Sequence, residues 1–93
     1  MKKANYNLID VRSIEEFTRD SIEGSYNVPL QEIHRLANSN LDTSTPVLVY
    51  CASGMRASQA EQYLKSFGYA EVVNVGTLQN ARNITVTHPE VVK

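Results

Sequence analysis

One cysteine, Cys51, is present among 93 residues. A single thiol excludes an intramolecular disulfide framework and any zinc site built on a cysteine cluster, so Cys51 is either inert core or reactive. Histidine is nearly as scarce: His34 and His88 stand far apart with no helical pairing, which argues against a histidine-based metal site. Neither sign of charge dominates, with 9 Lys and Arg against 10 Asp and Glu and a formal net charge of -1. That balance gives no bulk attraction to nucleic acid or to an anionic membrane surface, and neither is expected as a partner. Long apolar runs are missing too, so no stretch reaches membrane-spanning length. After the basic Met1-Lys2-Lys3, the segment Ala4-Asn5-Tyr6-Asn7 occupies the place where an export signal needs its apolar run. A cytoplasmic location is the expectation, with a periplasmic or exported one the alternative where a signal peptide has been removed.

What is present is ordinary for a globular domain: 42% apolar and 20% charged residues. The length fits one domain over residues 1–93 with one site and leaves no room for a separate cofactor-binding half, so no cofactor is expected. Short apolar runs alternate with helix-like segments, which predicts an α/β fold of parallel strands joined by helices. Leu8-Ile9-Asp10-Val11 is the first expected strand. Ser13 with Glu16 three residues on forms a capping-box pattern, predicting a short helix from Ile14 to Arg19 with Phe17 as its core anchor. Ser25-Tyr26-Asn27-Val28 is a second strand stopped by Pro29, after which Leu30, Ile33, Leu36 and Ala37 recur at helical spacing. Pro46-Val47-Leu48-Val49-Tyr50 has the unbroken apolar character of a central strand covered on both faces. Ala57, Ala60, Leu64 and Phe67 mark a helix ended by Gly68 in a left-handed cap. Glu71-Val72-Val73-Asn74-Val75 is the last expected strand, with Gly76-Thr77 as the turn leaving it. Residues 83–93 read as a C-terminal tail, although Ile84-Thr85-Val86-Thr87 has strand-like residues.

Cys51 falls between the apolar strand and the helix expected to begin near Arg56, so Ala52-Ser53-Gly54-Met55 forms a tight strand-to-helix loop. Amides converging at a helix N-terminus make an anion site, and the carboxyl end of a parallel strand is where ligands usually bind. Both conditions favour a thiolate at Cys51. The competing reading is a buried residue that merely ends a strand, since free cysteine is among the most buried residue types. Gly54 favours the reactive reading, because a glycine just before the helix suits a loop of strained backbone and close ligand approach. Asp10 and Arg12 also end a parallel strand and are expected on the same face as the Cys51 loop. There Asp10 either holds that loop by hydrogen bonds or is a surface carboxylate, and Arg12 either supports the site or pairs with Glu15 or Glu16. Arg56 opens the helix, where a cation is unfavourable unless an anion answers it, which suggests an anionic donor as its partner.

Leu8-Ile9-Asp10-Val11-Arg12, Glu15-Glu16-Phe17, Ile22 to Leu30 and Val49-Tyr50-Cys51-Ala52-Ser53-Gly54-Met55-Arg56, continued by Gly68-Tyr69 and Val73-Asn74-Val75-Gly76, together resemble a single-domain rhodanese-like sulfurtransferase. The resemblance covers a core of about residues 8–76 and is closest in layout to the phage shock protein E type. It implies a three-layer α/β/α domain with a small, mainly parallel central sheet of four strands, or five. It also implies that Cys51 takes a sulfane sulfur as a persulfide, cradled by Ala52, Ser53, Gly54, Met55 and Arg56. Thiosulfate or a low-molecular-weight persulfide would be the donor. A thiol or cyanide from outside the chain, or an acceptor protein, would be the acceptor, because no second cysteine can resolve the intermediate. The chain departs from the family in having Asp20-Ser21 where Gly-His often precedes Ile22, and Gly76-Thr77 where a glycine pair is common.

Two other functions compete. Cysteine phosphatases also cradle a thiolate with amides and an arginine, but they space the two by five residues and place histidine before the cysteine. Here four residues separate Cys51 from Arg56, and Tyr50 precedes Cys51. The other is a non-catalytic or redox-sensing rhodanese-like binding module. His34, at the edge of a helix face, and His88, near Pro89, are expected to be solvated rather than catalytic.

Overall fold

A computed structural model describes residues 6–87. Four parallel strands, β1 (Asn7–Asp10), β2 (Tyr26–Asn27), β3 (Val47–Cys51) and β4 (Val72–Thr77), form one sheet in the order β2-β1-β3-β4. Between and after them run α1 (Ile14–Arg19), a 3₁₀ helix (Leu30–Asn38), α2 (Met55–Ser66) and α3 (Leu78–Thr87). The sheet is covered on both faces, as expected for three layers. Strand alternation sorts the core: Ile9, Val47, Val49 and Cys51 face the 3₁₀ helix and α2, where Ile33, Leu36, Ala57, Ala60 and Leu64 meet them. Leu8, Leu48 and Tyr50 point the other way and pack with Tyr6, Ile22, Leu78 and Ala81. β3 is the interior strand expected from its apolar run, and Val47, Val49, Tyr50 and Cys51 are fully buried.

Four segments differ from the sequence reading, one of them Gly76-Thr77, which was expected as the turn leaving the last strand and instead forms its final two residues, paired with Tyr50 and Cys51. The segment after Pro29 is a 3₁₀ helix, with the Glu32 amide donating to the Pro29 carbonyl at 2.7 Å. Leu30, Ile33 and Leu36 are spaced by three, so in this tighter helix they lie one above another on the core side, while Ala37 is exposed. Phe17 is only half-buried, and α1 has no buried residue, so polar bonds rather than a core anchor hold that helix. The last difference is α3, which includes residues 83–87 of the expected tail and overrides the strand preference of Ile84 to Thr87. Thr77 starts it: its Oγ1 accepts the Asn80 amide at 3.1 Å, and Ala81 is buried against the second face of the sheet. His88 lies outside the described residues.

Gly68 ends α2 with φ +101°, its amide reaching the Lys65 carbonyl at 3.1 Å and the Tyr69 amide reaching Leu64 at 3.2 Å. This is the left-handed cap foreseen from the spacing.

Candidate active site

β3 delivers Cys51 to the carboxyl edge of the sheet, and the chain turns at once into α2. Cys51 is fully buried on the α2 face. Its Sγ accepts the Gly54 amide at 2.9 Å and the Ala57 amide at 3.4 Å. The first four amides of a helix have no partner within it, and here the Ala57 amide of that first turn goes to sulfur. Such donors stabilise negative charge on the atom they face. Ala52, Ser53 and Met55 are exposed around this loop, and Gly54 and Arg56 are half-buried.

Gly54 makes the turn with φ +94°. A Cβ there would meet Gly76 Cα at 3.5 Å, an ordinary contact, so the constraint is backbone conformation rather than space. Gly54→Ala should therefore cost about 1–2 kcal/mol in urea unfolding, the penalty for an L-residue in the left-handed region. Transfer should slow as well, since the same peptide carries the amide on Sγ.

Asn74 locks the loop from the side. Its Nδ2 donates to the Gly54 carbonyl at 3.1 Å, and its Oδ1 accepts the Gly76 amide at 2.8 Å. The bulge in β4 makes this reach available: Val49 pairs with Asn74, but Tyr50 pairs with Gly76, leaving Val75 as the extra residue. Asn74 was not marked from sequence as a site residue, though an amide side chain between two valines of a strand is the signal that could have raised it.

Asp10 and Arg12 end at the same edge as Cys51, yet not on its face. Asp10 is in register with Tyr50, so its side chain shares the Tyr50 side of the sheet. The expected hold on the Cys51 loop is absent among its hydrogen bonds, which go to Arg12: from the Arg12 amide at 2.8 Å, from Nε at 3.0 and 3.1 Å, and from Nη2 at 2.7 Å. Arg12 pairs with neither Glu15 nor Glu16. It bonds the Asp20 carbonyl and lies 5.7 Å from the centre of the Tyr50 ring. Arg12 reaches back to the carboxylate two residues earlier rather than out to the helix-borne acids, and both partners of that pair are buried.

Arg56 is likewise occupied. Its guanidinium grips Glu16 with two bonds, 2.8 Å to Oε1 and 3.1 Å to Oε2. Glu16 also completes the capping box foreseen from Ser13, accepting the Ser13 amide at 2.9 Å. Arg56, followed by that Ser13 amide, lowers the Glu16 carboxyl to about 2, so it is ionised at any pH near neutral. Sequence reasoning gave Glu16 a place in the helix cap and as one of two acids open to Arg12, not as the partner of Arg56, because nothing in local spacing reveals a contact across 40 residues.

His34 is exposed, in line with a solvated ring. Among the described residues no cluster of His, Cys, Asp and Glu side chains is arranged to hold a metal ion, and no helix is long and apolar enough to cross a membrane.

Comparison with known proteins agrees with this architecture. A profile of the rhodanese-like domain matches residues 1–81. The thiosulfate sulfurtransferase PspE of Escherichia coli is 37% identical over 73 residues, covering 77% of this chain and 70% of that protein. A sulfurtransferase of Allochromatium vinosum is 31% identical over 86 residues, covering 89% of this chain and 79% of that one. Among solved structures, a rhodanese from E. coli superposes with a TM-score of 0.74 at 36% identity, covering 81% of this chain and 89% of its own. With the profile spanning most of the chain and these relatives matched along most of their length, the chain belongs to the rhodanese-like domain family.

Proposed function

We propose that this rhodanese-type sulfurtransferase moves a sulfane sulfur from thiosulfate or a low-molecular-weight persulfide to an external thiol or cyanide through a persulfide on Cys51. The pair of backbone amides on Cys51 Sγ carries the reading. An inert strand-end thiol would be buried as this one is, but it would not draw two main-chain donors at the mouth of a helix. The charge balance of the chain gives no bulk attraction to nucleic acid or to an anionic bilayer, and the partners in this reading are the donor, the acceptor and, where the acceptor thiol belongs to one, a protein.

In the first step the Cys51 thiolate attacks the terminal sulfur of the donor. The new S–S bond forms as the old one breaks, and its electron pair leaves with sulfite, or with a thiolate when the donor is a persulfide. Charge then resides on the outer sulfur of Cys51–S–S⁻, where the loop amides face it. In the second step an external thiolate or cyanide takes that sulfur and returns the Cys51 thiolate, completing a two-step exchange. A buried Sγ suits this chemistry because a donor presents its terminal sulfur as a single atom, whereas a phosphoryl group must bring three oxygens.

Incubation with thiosulfate or with an organic hydropersulfide should add the mass of one sulfur atom to the intact chain. Peptide mapping should place it on Cys51, and cyanide should remove it as thiocyanate. A chain that gains no sulfur from either donor is not the enzyme proposed.

A further inference from the structure

Resting on that reading, we infer that Glu16 is a specificity-determining residue: by neutralising Arg56 it turns the site away from doubly charged donors and toward sulfur carried on a singly charged or uncharged organic persulfide. Arg56 is the only charged residue of the loop from Cys51 to Arg56, and its guanidinium is close enough to register charge on Cys51. Left free, it would attract thiosulfate, which bears two negative charges. Its two carboxylate contacts instead form one bidentate pair with Glu16.

The pairing is not a loose surface contact between two mobile chains. Glu16 is fixed from behind by the Ser13 amide at 2.9 Å and by Ser13 Oγ at 3.1 Å, so its carboxylate cannot follow Arg56 toward an incoming anion. Glu16 and Arg56 are 28% and 37% exposed, which leaves the pair less screened than one standing in open solvent. Nor does Arg12 replace the missing cation, since it is spent on Asp10 on the opposite face of the sheet. A dianion arriving at the loop therefore meets a pair of zero net charge whose acid is held in place. Met55, 72% exposed, and Ile14, 54% exposed, begin the two helices that this pair ties together, and they supply apolar surface there. An organic group attached to the transferred sulfur gains from such surface, whereas a sulfonate gains nothing.

The test compares thiosulfate with 2-hydroxyethyl hydropersulfide, whose organic half is uncharged, in the wild-type chain, Glu16→Gln and Arg56→Met. Glutamine keeps an oxygen for the Ser13 amide and releases the charge of Arg56. Glu16→Gln should raise kcat/KM for thiosulfate about tenfold, the scale of one freed charge-assisted contact, mainly through KM. The hydropersulfide should change by less than about threefold, and added salt should erase the thiosulfate gain. Arg56→Met, which leaves Glu16 unanswered, should do the reverse and depress thiosulfate more than the hydropersulfide. If Glu16→Gln leaves thiosulfate unchanged, or moves both donors together, Glu16 is a helix cap alone and the inference falls. Should Glu16→Gln not fold, Arg56→Met decides in the same way: equal losses for the two donors overturn the assignment. Failure of the underlying reading looks different, because wild-type Cys51 would then take sulfur from neither donor.

Discussion

Cys51→Ser should abolish sulfur transfer and leave the fold standing. Serine fits the space, and its Oγ can accept the Gly54 and Ala57 amides that now reach Sγ at 2.9 and 3.4 Å. Circular dichroism and the urea midpoint should therefore stay close to those of the wild-type chain. Chemistry does not survive the change, because a hydroxyl remains protonated near neutral pH and forms no stable bond to a transferred sulfur. Turnover should drop by at least about a thousandfold, the order seen when an attacking group is deleted, and the mass gain on incubation with donor should vanish. Sulfurtransferase turnover in a pure, folded Cys51→Ser sample would remove Cys51 from the reaction.

Where a residue's job is set by its neighbours along the chain, that job was legible in the sequence. The strand-to-helix loop at Cys51 follows from an apolar run meeting a helical period with Gly54 between them, and the Ser13–Glu16 cap follows from a spacing of three. Gly68 is of the same kind. What escaped is what depends on a partner far away or on a change of geometry. Arg56 reads as a free cation until Glu16 is brought against it from another helix, and Asp10 reads as a support for the loop until the strand register turns it to the side of Tyr50. Periodicity also cannot separate a 3₁₀ helix from an α-helix over three apolar residues, since Leu30, Ile33 and Leu36 suit both. α3 was hidden by β-branched residues whose strand preference yields to burial of Ala81 and to the cap on Thr77. Asn74 depends on a bulge, which no propensity announces.

Asp10→Ala is the substitution with the largest expected cost in stability. The Asp10 side chain has no exposure and that of Arg12 only 8%, so the guanidinium left behind would be a buried charge stripped of three side-chain bonds. Breaking such a pair from one side costs about 3–5 kcal/mol, a large fraction of the roughly 5–15 kcal/mol that holds a domain folded. Urea unfolding should show the loss as a lower midpoint with an unchanged slope. Asp10→Asn should lose less, since its oxygen can still accept the Arg12 amide that now bonds Oδ1 at 2.8 Å. Replacing both residues together, Asp10→Leu with Arg12→Met, should recover most of the stability, because the cost lies in the orphaned charge rather than in the absence of a pair. A loss below about 1 kcal/mol for Asp10→Ala would mean that Arg12 swings out to water when released. The double substitution also separates support from substrate binding. If it restores stability and sulfur loading of Cys51 together, the pair serves by bracing Tyr50, the residue before the thiol, and touches no donor. If stability returns while loading of thiosulfate stays depressed, Arg12 contributes its charge to the reaction itself.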